Sequence, residues 1–348
     1  MVQVADLSPT SFAEHTSLRV GGDVSRWIAT DEVAAAIEII TECSDLGISC
    51  LVVGGGTNLV CADEPFEGCV VQLNTRGIDI VRNEESALVT FAAGENWDDV
   101  VAATLDEGMA DLAPLSGIPG LVGATPVQNV GAYGTEISQI LHSVDVWDRM
   151  DRELSTMSAR ECDLRYRSSI FKNDIDRFLI TSVTFRLTVR PTASVRYDQL
   201  ANSLGVGVGD DVSGADIREA VLELRRSKAM VLSDEDRDTW SIGSFFLNPL
   251  VDETFARALP AECPRYPAGG AVKVSAAWLL EASGVAKGWR TQPDSDAQVS
   301  TKHVLAVTNR GTASTGQIIE LAHVMRDRVQ ESFDIELVPE PRFVNCSW

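Results

Sequence analysis

The chain has 348 residues, of which 45% are hydrophobic, and its formal net charge at pH 7 is −22. This length accommodates two or three domains with a sizeable core. So acidic a chain is unsuited to non-specific binding of nucleic acid or of an anionic membrane, because both need a basic face. No apolar run approaches the length of a membrane span, and the first residues lack the pattern of a signal peptide. We therefore expect a cytoplasmic protein that binds neither nucleic acid nor membranes.

The cysteines argue against a metal site. Seven are present, an odd number, without a Cys-x-x-Cys pair and without a histidine at the spacing of zinc ligands. Several, such as Cys50 and Cys69, lie within apolar runs, as small core residues do. The sequence thus predicts free thiols in a reducing compartment and no bound metal.

Short strand patterns alternate with occasional helices in the first half of the chain. One helix is predicted over residues 31–46, and another begins at Asn96 and ends near Gly108. Apolar and β-branched runs predict strands over residues 48–53, 69–73, 87–92, 143–147 and 178–189. This alternation indicates an α+β fold.

Helices dominate the second half. Residues 191–212 change in composition and predict a linker with at most one strand. Amphipathic helices are then predicted from Ser213 to about Met230, from Ser275, and from a position near Ser314, and residues 333–344 are predicted to form a closing strand. The expected organisation is a first domain over 1–190, a linker over 191–212, a second domain over 213–325 and a closing segment over 326–348.

A strand pattern enters the first glycine-rich segment, Gly54-Gly55-Gly56-Thr57-Asn58-Leu59. A dinucleotide-binding fingerprint would need a third glycine where Leu59 stands, and no long helix pattern follows. Three consecutive glycines still offer successive backbone N–H groups that suit a pyrophosphate. The alternative is a plain tight turn, and the second glycine-rich segment favours the phosphate interpretation.

The second glycine-rich segment spans residues 115–134 and holds five glycines and two prolines. These are too many for the interior of a helix or strand, and the segment is too apolar for a flexible linker. Thr125, Gln128 and Asn129 supply its few polar side chains. Composition alone leaves open whether it forms a cofactor contact surface or a tightly packed structural crossover.

Four polar residues in the second half could carry chemistry. Arg225 and Lys228 end a predicted helix, where cations complement the dipole, but in so acidic a chain they also suit an anionic ligand. Ser244 lies between a glycine and two aromatics, and its surroundings are not the Gly-x-Ser-x-Gly of a hydrolase nucleophile. Glu340 stands between two prolines and cannot lie within a sheet, so it is either a surface edge or a positioned carboxylate.

Taken together, these segments resemble the UDP-N-acetylenolpyruvoylglucosamine reductase (MurB) family, in its longer form with a tyrosine loop. The resemblance covers nearly the whole chain, from Thr16 to Val344, with its segments in the family's order. Its most specific parts are residues 52–58, 118–134, 165–172, 243–249 and 339–343.

The resemblance implies an FAD-binding module of the vanillyl-alcohol-oxidase type, with two α+β subdomains, and a MurB-type α+β substrate-binding domain. The flavin would be non-covalent, because related oxidases often tether it through histidine and none lies between His15 and His142. The residues implied to bind FAD are Gly54, Gly55, Gly56, Thr57, Asn58, Leu59, Ile118, Pro119, Gly120, Gly123, Ala124, Thr125, Gln128, Asn129, Gly131 and Ala132.

The resemblance also implies a reaction, the reduction of UDP-N-acetylglucosamine enolpyruvate to UDP-N-acetylmuramate by a monomer that uses NADPH as co-substrate. FAD N5 would deliver the hydride. Arg167 would pair with the developing negative charge, Ser244 would donate the proton, and a protonated Glu340 would share the site. The residues implied to bind the substrate are Tyr166, Tyr197, Arg225, Lys228 and Asn248.

Two alternatives remain at this point. One is another oxidase of the same flavoprotein architecture, and the other is a catalytically inactive sensor of nucleotide sugars. The joint presence of Arg167, Ser244 and Glu340 speaks against the sensor. Ala124 and Leu247 depart from residues found in some members of the family, and these differences concern the affinity for flavin or substrate more than the reaction type.

Overall fold

The computed structural model describes residues 4–348, which form two compact units. The first contains Val24–Gly55 and Glu67–Arg226 together with the chain up to Thr10. The second contains Ser11–Asp23, Gly56–Phe66 and Ser227–Trp348. Over the described residues, none of the helices combines the length and the apolar character that crossing a membrane requires.

Two sheets form most of the first unit. The strands of the first sheet follow the order Val4–Asp6, Asp23–Thr30, Phe66–Leu73 and Cys50–Val53, and the last two are parallel. A two-residue strand, Thr10–Ser11, also pairs with Asp23–Thr30. The second sheet is antiparallel throughout, in the order Glu153–Ser158, Leu141–Asp148, Phe178–Thr188, Ser86–Ala92 and Ile78–Arg82.

The helices of this unit begin at polar caps and cover the sheets with apolar side chains. Asn96 accepts hydrogen bonds from the N–H groups of the first helical turn, and Trp97 is fully buried with its ring 5.9 Å from that of Phe185. The α-helices are Val33–Asp45, Trp97–Asp106, Ile170–Asn173, Asp198–Leu204 and Gly214–Ser227, and the 3₁₀ turns are Ala113–Leu115, Val122–Ala124 and Ile137–Gln139. Two short hairpins pair Gly131–Ala132 with Thr135–Glu136 and Thr192–Ser194 with Asp211–Ser213.

The second unit is built around one long helix, Thr315–Phe333. Ser314 and Gln317 form a capping box at its start, and Ile318, Leu321 and Met325 are fully buried on one face. The other helices are Phe12–His15, Glu253–Ala258, Ala276–Ala282 and the 3₁₀ turn Arg237–Thr239. The strands are Leu250–Val251, Ala271–Val274 and Arg265–Ala268 in one sheet, with Ala297–Val299 paired to Val307–Asn309 and Leu59–Cys61 paired to Arg342–Val344.

The α+β class and the main predicted helices and strands are confirmed, but two predictions were wrong. Residues 333–344 do not form one strand: the long helix runs to Phe333, and Asp334 caps it in a left-handed conformation. Within this range, Arg342–Val344 forms a strand, and Pro339 makes only an isolated bridge to Phe246. Residues 191–212 are not a linker with at most one strand. They contain the helix Asp198–Leu204 and parts of two paired strands.

Candidate functional site

The two glycine-rich segments begin to meet within the first unit. The strand Cys50–Val53 leads directly into Gly54, whose carbonyl oxygen accepts a hydrogen bond from Gln72 Nε2 at 3.3 Å. A Cβ atom placed on Gly54 would lie 3.5 Å from the Cβ of Ala124. The start of the first segment therefore contacts the second, as expected if both bind one ligand.

Close packing against the protein's own backbone explains at least one glycine of the second segment. A Cβ atom on Gly123 would lie 2.7 Å from the Cβ of Ala93, and the Gly123 N–H donates to the Ala93 carbonyl at 2.9 Å. Thr125 is buried, and its hydroxyl donates to the carbonyl of Val122 at 2.8 Å. Packing within the protein, rather than contact with a cofactor, thus explains Gly123. The Thr125 hydroxyl is likewise bonded within its own turn.

Asn129 fixes the path of the second segment. It is buried in a left-handed conformation with φ of 47°. Its amide nitrogen donates to Glu136 Oε2 at 3.0 Å and to the carbonyl of Arg165 at 3.1 Å, while its oxygen accepts from the Ser138 N–H at 3.0 Å. These bonds give the side chain a positioning role within the unit.

Arg167 is fastened to the same segment. Its guanidinium donates to the carbonyl oxygens of Asn129 at 3.1 Å and of Gly131 at 2.9 Å, and its Cζ lies 5.8 Å from the ring centre of Tyr166. The backbone of Arg167 is left-handed, with φ of 52°, which is uncommon outside glycine and costs free energy. The structure thus brings two predicted site residues, Tyr166 and Arg167, to the predicted flavin segment.

Tyr197 and Arg225 belong to a cluster that also includes Tyr133. The rings of Tyr133 and Tyr197 lie 5.9 Å apart at 82°. Burial raises the pKa of the Tyr133 hydroxyl, and burial lowers the pKa of the Arg225 guanidinium, although the two groups attract each other. Tyr133 was not predicted as a site residue. The available signal was its place as the single aromatic among residues 115–134.

An ion pair holds the entry to the second segment. Arg218 donates to both carboxylate oxygens of Asp98, at 2.6 and 2.8 Å, and Asp98 Oδ1 accepts from the Gly117 N–H at 2.6 Å. Partial burial would raise the pKa of Asp98, but these hydrogen bonds outweigh it and lower that pKa. The pair joins the helices Trp97–Asp106 and Gly214–Ser227, and no pattern in the sequence pointed to it.

Gly56 begins the part of the first segment that belongs to the second unit. Its φ is 63°, and a Cβ atom there would lie 2.2 Å from the carbonyl oxygen of His15. The Gly56 carbonyl accepts from the Ser17 N–H at 3.1 Å. Thr16 lies between His15 and Ser17 in sequence and is buried. Its hydroxyl has no hydrogen-bond partner among the described residues.

The end of the first glycine-rich segment is bonded to the backbone around Glu340, also within the second unit. Asn58 accepts from the Arg342 N–H at 3.0 Å, and its side-chain nitrogen donates to the Glu340 carbonyl at 3.4 Å. Leu59 pairs with Arg342 in parallel strands. Hydrogen bonds thus connect Asn58 and Leu59, which are predicted to bind the cofactor, to the chain around Glu340, which is predicted to act in catalysis.

The chain around Ser244 pairs with the chain around Glu340. The Glu340 N–H donates to the carbonyl of Phe245 at 2.8 Å, and the Leu247 N–H donates to the carbonyl of Val338 at 3.0 Å. Ser244 and Glu340 are both half-buried, whereas Phe245 is fully buried. The structure therefore brings together these two predicted catalytic positions, which are far apart in sequence.

Asn248 and Lys228 complete the predicted residues of the second unit. Asn248 Oδ1 accepts from the N–H of Ala276, which begins a helix. Lys228 acts electrostatically on His303, where burial first and then Lys228 and Lys287 lower the pKa to about 4. His303 is consequently neutral at pH 7, and it was not among the predicted site residues.

Within residues 4–348, no group of three or more His, Cys, Asp or Glu side chains could hold a metal ion. All seven cysteines are free thiols, and all but Cys346 are buried.

Comparison with known families identifies the class of protein to which the chain belongs. Residues 26–157 match the family model of an FAD binding domain, and residues 234–344 match the family model described as UDP-N-acetylenolpyruvoylglucosamine reductase, C-terminal domain. The chain is 44% identical to a UDP-N-acetylenolpyruvoylglucosamine reductase of Cutibacterium acnes, over 95% of its own length and 88% of the relative. It is 46% identical to the same reductase of Thermobifida fusca, over 96% and 97% of the two chains.

A solved structure supports the fold independently. The crystal structure of UDP-N-acetylenolpyruvylglucosamine reductase (MurB) from Thermus caldophilus aligns over 99% of this chain and 100% of that chain, with a TM-score of 0.67 and 21% identity. The chain belongs to the UDP-N-acetylenolpyruvoylglucosamine reductase (MurB) family, FAD-dependent oxidoreductases of peptidoglycan precursor synthesis. The predicted family, fold class and enzyme class, and FAD as its cofactor, are confirmed.

The chain's own residues fit FAD. The Thr16 hydroxyl is a buried polar group beside Gly56 that has no hydrogen-bond partner within residues 4–348, and such a group is expected to bond a ligand or water. Gly54, Gly55 and Gly56 carry no side chains of their own beside their N–H groups, which suits binding of a pyrophosphate. Thr16 is a cofactor candidate that the sequence did not suggest.

Proposed function

We propose that this protein reduces UDP-N-acetylglucosamine enolpyruvate to UDP-N-acetylmuramate with NADPH as the electron donor, and that it acts as a cytoplasmic monomer with non-covalent FAD. Membership in the reductase family supports the substrate. The observation that carries the proposal is the backbone pairing of Glu340 with Phe245, the residue after Ser244, which brings the hydroxyl-bearing and carboxyl-bearing positions together in the second unit.

Residues of the two glycine-rich segments, 54–59 and 118–132, would hold FAD. When bound, reduced FAD supplies a hydride from N5 to the methylene carbon of the enolpyruvyl ether. Backbone N–H groups of Gly54–Gly56 would meet the pyrophosphate, and Arg167 stiffens the second segment through the carbonyls of Asn129 and Gly131.

The chain's side chains would manage charge and protons around the substrate. Arg167 would pair with the substrate carboxylate as negative charge spreads to it, since a preorganised cation is most effective where charge appears. Ser244 would donate its proton to the carbon beside that carboxylate. A hydroxyl is a weak acid, but a carbanion is a strong base, so a positioned hydroxyl suffices. Glu340, protonated, would donate a hydrogen bond to the same region.

The remaining predicted residues would bind the rest of the substrate. Tyr197 packs on Tyr133 beside the buried Arg225, so these residues can present a hydroxyl and a cation to the nucleotide diphosphate. Lys228, Asn248 and Tyr166 would contact the diphosphate or the enolpyruvyl group.

The deciding experiment is NADPH oxidation by the flavin-loaded protein with UDP-N-acetylglucosamine enolpyruvate. We expect NADPH consumption to match the formation of UDP-N-acetylmuramate one to one. A flavin-loaded protein that oxidises NADPH without consuming the enolpyruvyl substrate would point to the alternative oxidase. One that does neither would refute the enzyme proposal.

The role of Ser244 has its own test. Ser244→Ala should bind FAD and be reduced by NADPH at the parent rate, whereas product formation should fall by about 10²–10⁴-fold, the usual contribution of a positioned proton donor. Single-turnover measurements of the two half-reactions separate these effects. Ser332→Ala, at an exposed position of the same unit, is the control and should match the parent. Normal product formation by Ser244→Ala would show that the proton comes from elsewhere.

A further inference from the structure

Trp348 lies at the centre of a ring cluster in the second unit. Its ring centre is 5.9 Å from that of Phe245, 5.8 Å from that of Phe246 and 5.8 Å from that of Phe343. Phe245 and Phe246 are almost wholly buried, and their own rings are 5.2 Å apart. These distances and the tilted or edge-on angles are those of favourable aromatic pairs.

The same ring also packs against the long helix Thr315–Phe333. The His323 ring centre is 4.5 Å away at 62°, and Arg326 Cζ is 5.2 Å from the Trp348 ring centre. Trp348 therefore connects three parts of the unit, namely the long helix, the segment that follows Ser244 and the strand that follows Glu340.

This connection matters because the backbone link between the Ser244 and Glu340 segments is short. A single antiparallel bridge between Phe246 and Pro339 joins them, made by one hydrogen bond from the Glu340 N–H and one from the Leu247 N–H. Glu340 is flanked by Pro339 and Pro341, which have no N–H and cannot extend the pairing. The packing of Trp348 on Phe245, Phe246 and Phe343 adds a second, side-chain connection between the same two segments.

We propose that Trp348 is a positioning residue for the reduction: by packing at once on Phe245, Phe246 and Phe343, it keeps Ser244 and Glu340 in register with each other. The inference rests on the proposed function, because it takes Ser244 and Glu340 as the groups that act on the substrate. Trp348 itself touches neither substrate nor cofactor in this proposal.

The test compares Trp348→Ala with a matched control, Trp278→Ala. Trp278 is also half-buried, belongs to the same unit, and packs on the long helix with its ring centre 5.6 Å from that of Phe333, so its loss should cost similar stability. We expect Trp348→Ala to lower kcat for the enolpyruvyl substrate at least about tenfold, since small misplacements of reacting groups are costly. Its flavin content and its rate of flavin reduction by NADPH should stay within about twofold of the parent.

Rescue separates positioning from general stability. Trp348→Phe keeps a ring in the cluster and should recover most of kcat, while Trp278→Ala should lower the melting temperature about as much as Trp348→Ala and leave kcat unchanged. If Trp348→Ala does not fold, Trp348→Leu takes its place, with a lower kcat than Trp348→Phe expected. Parent-like kcat without the ring, or an equal loss of kcat in Trp278→Ala, would overturn the inference. A parent chain that does not turn over the substrate would refute the proposed function itself, and the inference with it.

Discussion

His303 is a half-buried, neutral base under the charges of two lysines. Burial and the charges of Lys228 and Lys287 lower its pKa to about 4, below the ordinary value near 6.5. The unfolded chain therefore binds more protons than the folded chain between about pH 4 and 6.5. Stability is full above this range and is lost as the pH falls through it.

Replacing His303 should remove this loss. Between pH 7 and pH 5, the free energy of unfolding of the parent should fall by about 2 kcal/mol more than that of His303→Gln, because the variant has no imidazole to protonate. Urea unfolding at the two pH values measures the difference. His142→Gln, at an exposed histidine of the other unit, should behave like the parent. Equal pH dependence in the parent and His303→Gln would show that this histidine titrates normally.

Single residues were only partly predictable. Arg167, Ser244 and Glu340 could be singled out because their types and neighbours suit the chemistry that the resemblance implies. The left-handed backbone of Arg167 and the burial of Asn129 by three hydrogen-bond partners depend on contacts made by distant residues, so no local pattern revealed them. Thr16 was missed for the same reason, whereas Tyr133 had a local signal, its place as the single aromatic among residues 115–134.

The first glycine-rich segment depends on one position more than the others. Gly56 combines a left-handed φ of 63° with almost no room for a side chain, because a Cβ atom would lie 2.2 Å from the His15 carbonyl oxygen. Gly47 has nearly the same φ, 68°, but nothing lies within 4 Å of its Cβ position. The two glycines therefore separate backbone strain from steric clash.

Gly47→Ala should destabilise the protein by roughly 1–2 kcal/mol, the cost of a left-handed alanine. Gly56→Ala carries the same strain plus a displacement of the His15 and Ser17 backbone, so we expect a clearly larger loss of stability and much weaker FAD retention. Thermal unfolding and flavin content after gel filtration provide the measurements. Equal losses of stability in the two variants would mean that the backbone around Gly56 rearranges to accommodate the added methyl group without a further loss of free energy.

Elements with strong local signals were predicted well. The helix after Asn96 and the helix after Ser314 carry capping residues and a regular apolar face, and both occur as expected. The predicted strand over 333–344 was wrong because the helix includes Phe333, Asp334 turns the backbone left-handed, and Pro339 and Pro341 have no N–H for a ladder. The hairpin of residues 192–213 was missed because strands of three residues leave almost no periodicity to read.

The whole molecule is divided in a way that the sequence did not disclose. Residues 11–23 and 56–66 belong to the second unit, although most of their neighbours in sequence belong to the first. Leu18, Val20 and Val60 are buried in the core of the second unit, and the Asp63 carboxylate accepts from the Thr315 N–H at 2.9 and 3.0 Å. Such contacts link residues hundreds of positions apart, and composition carries no signal for them.

Residues 227–348 should therefore not fold alone. They would lack the strand Leu59–Cys61 and several core side chains, each of which contributes about 1.5–3 kcal/mol when fully buried. We expect poorly dispersed amide signals in an NMR spectrum of this fragment, while the full chain unfolds cooperatively. A well-dispersed spectrum would show that residues 227–348 fold stably without residues 11–23 and 56–66.

The parallel pairing of Leu59–Cys61 with Arg342–Val344 also has a consequence for biosynthesis. Asn58 and Glu340, joined at this point, are 282 positions apart in sequence. At about 5–20 residues per second, a ribosome needs roughly 15 to 60 s to make the intervening chain. During that time the earlier strand has no partner for this edge, which is an opportunity for pairing with other chains. The second unit can thus be completed only late in synthesis, and the rate of translation sets how long the edge of Leu59–Cys61 remains unpaired.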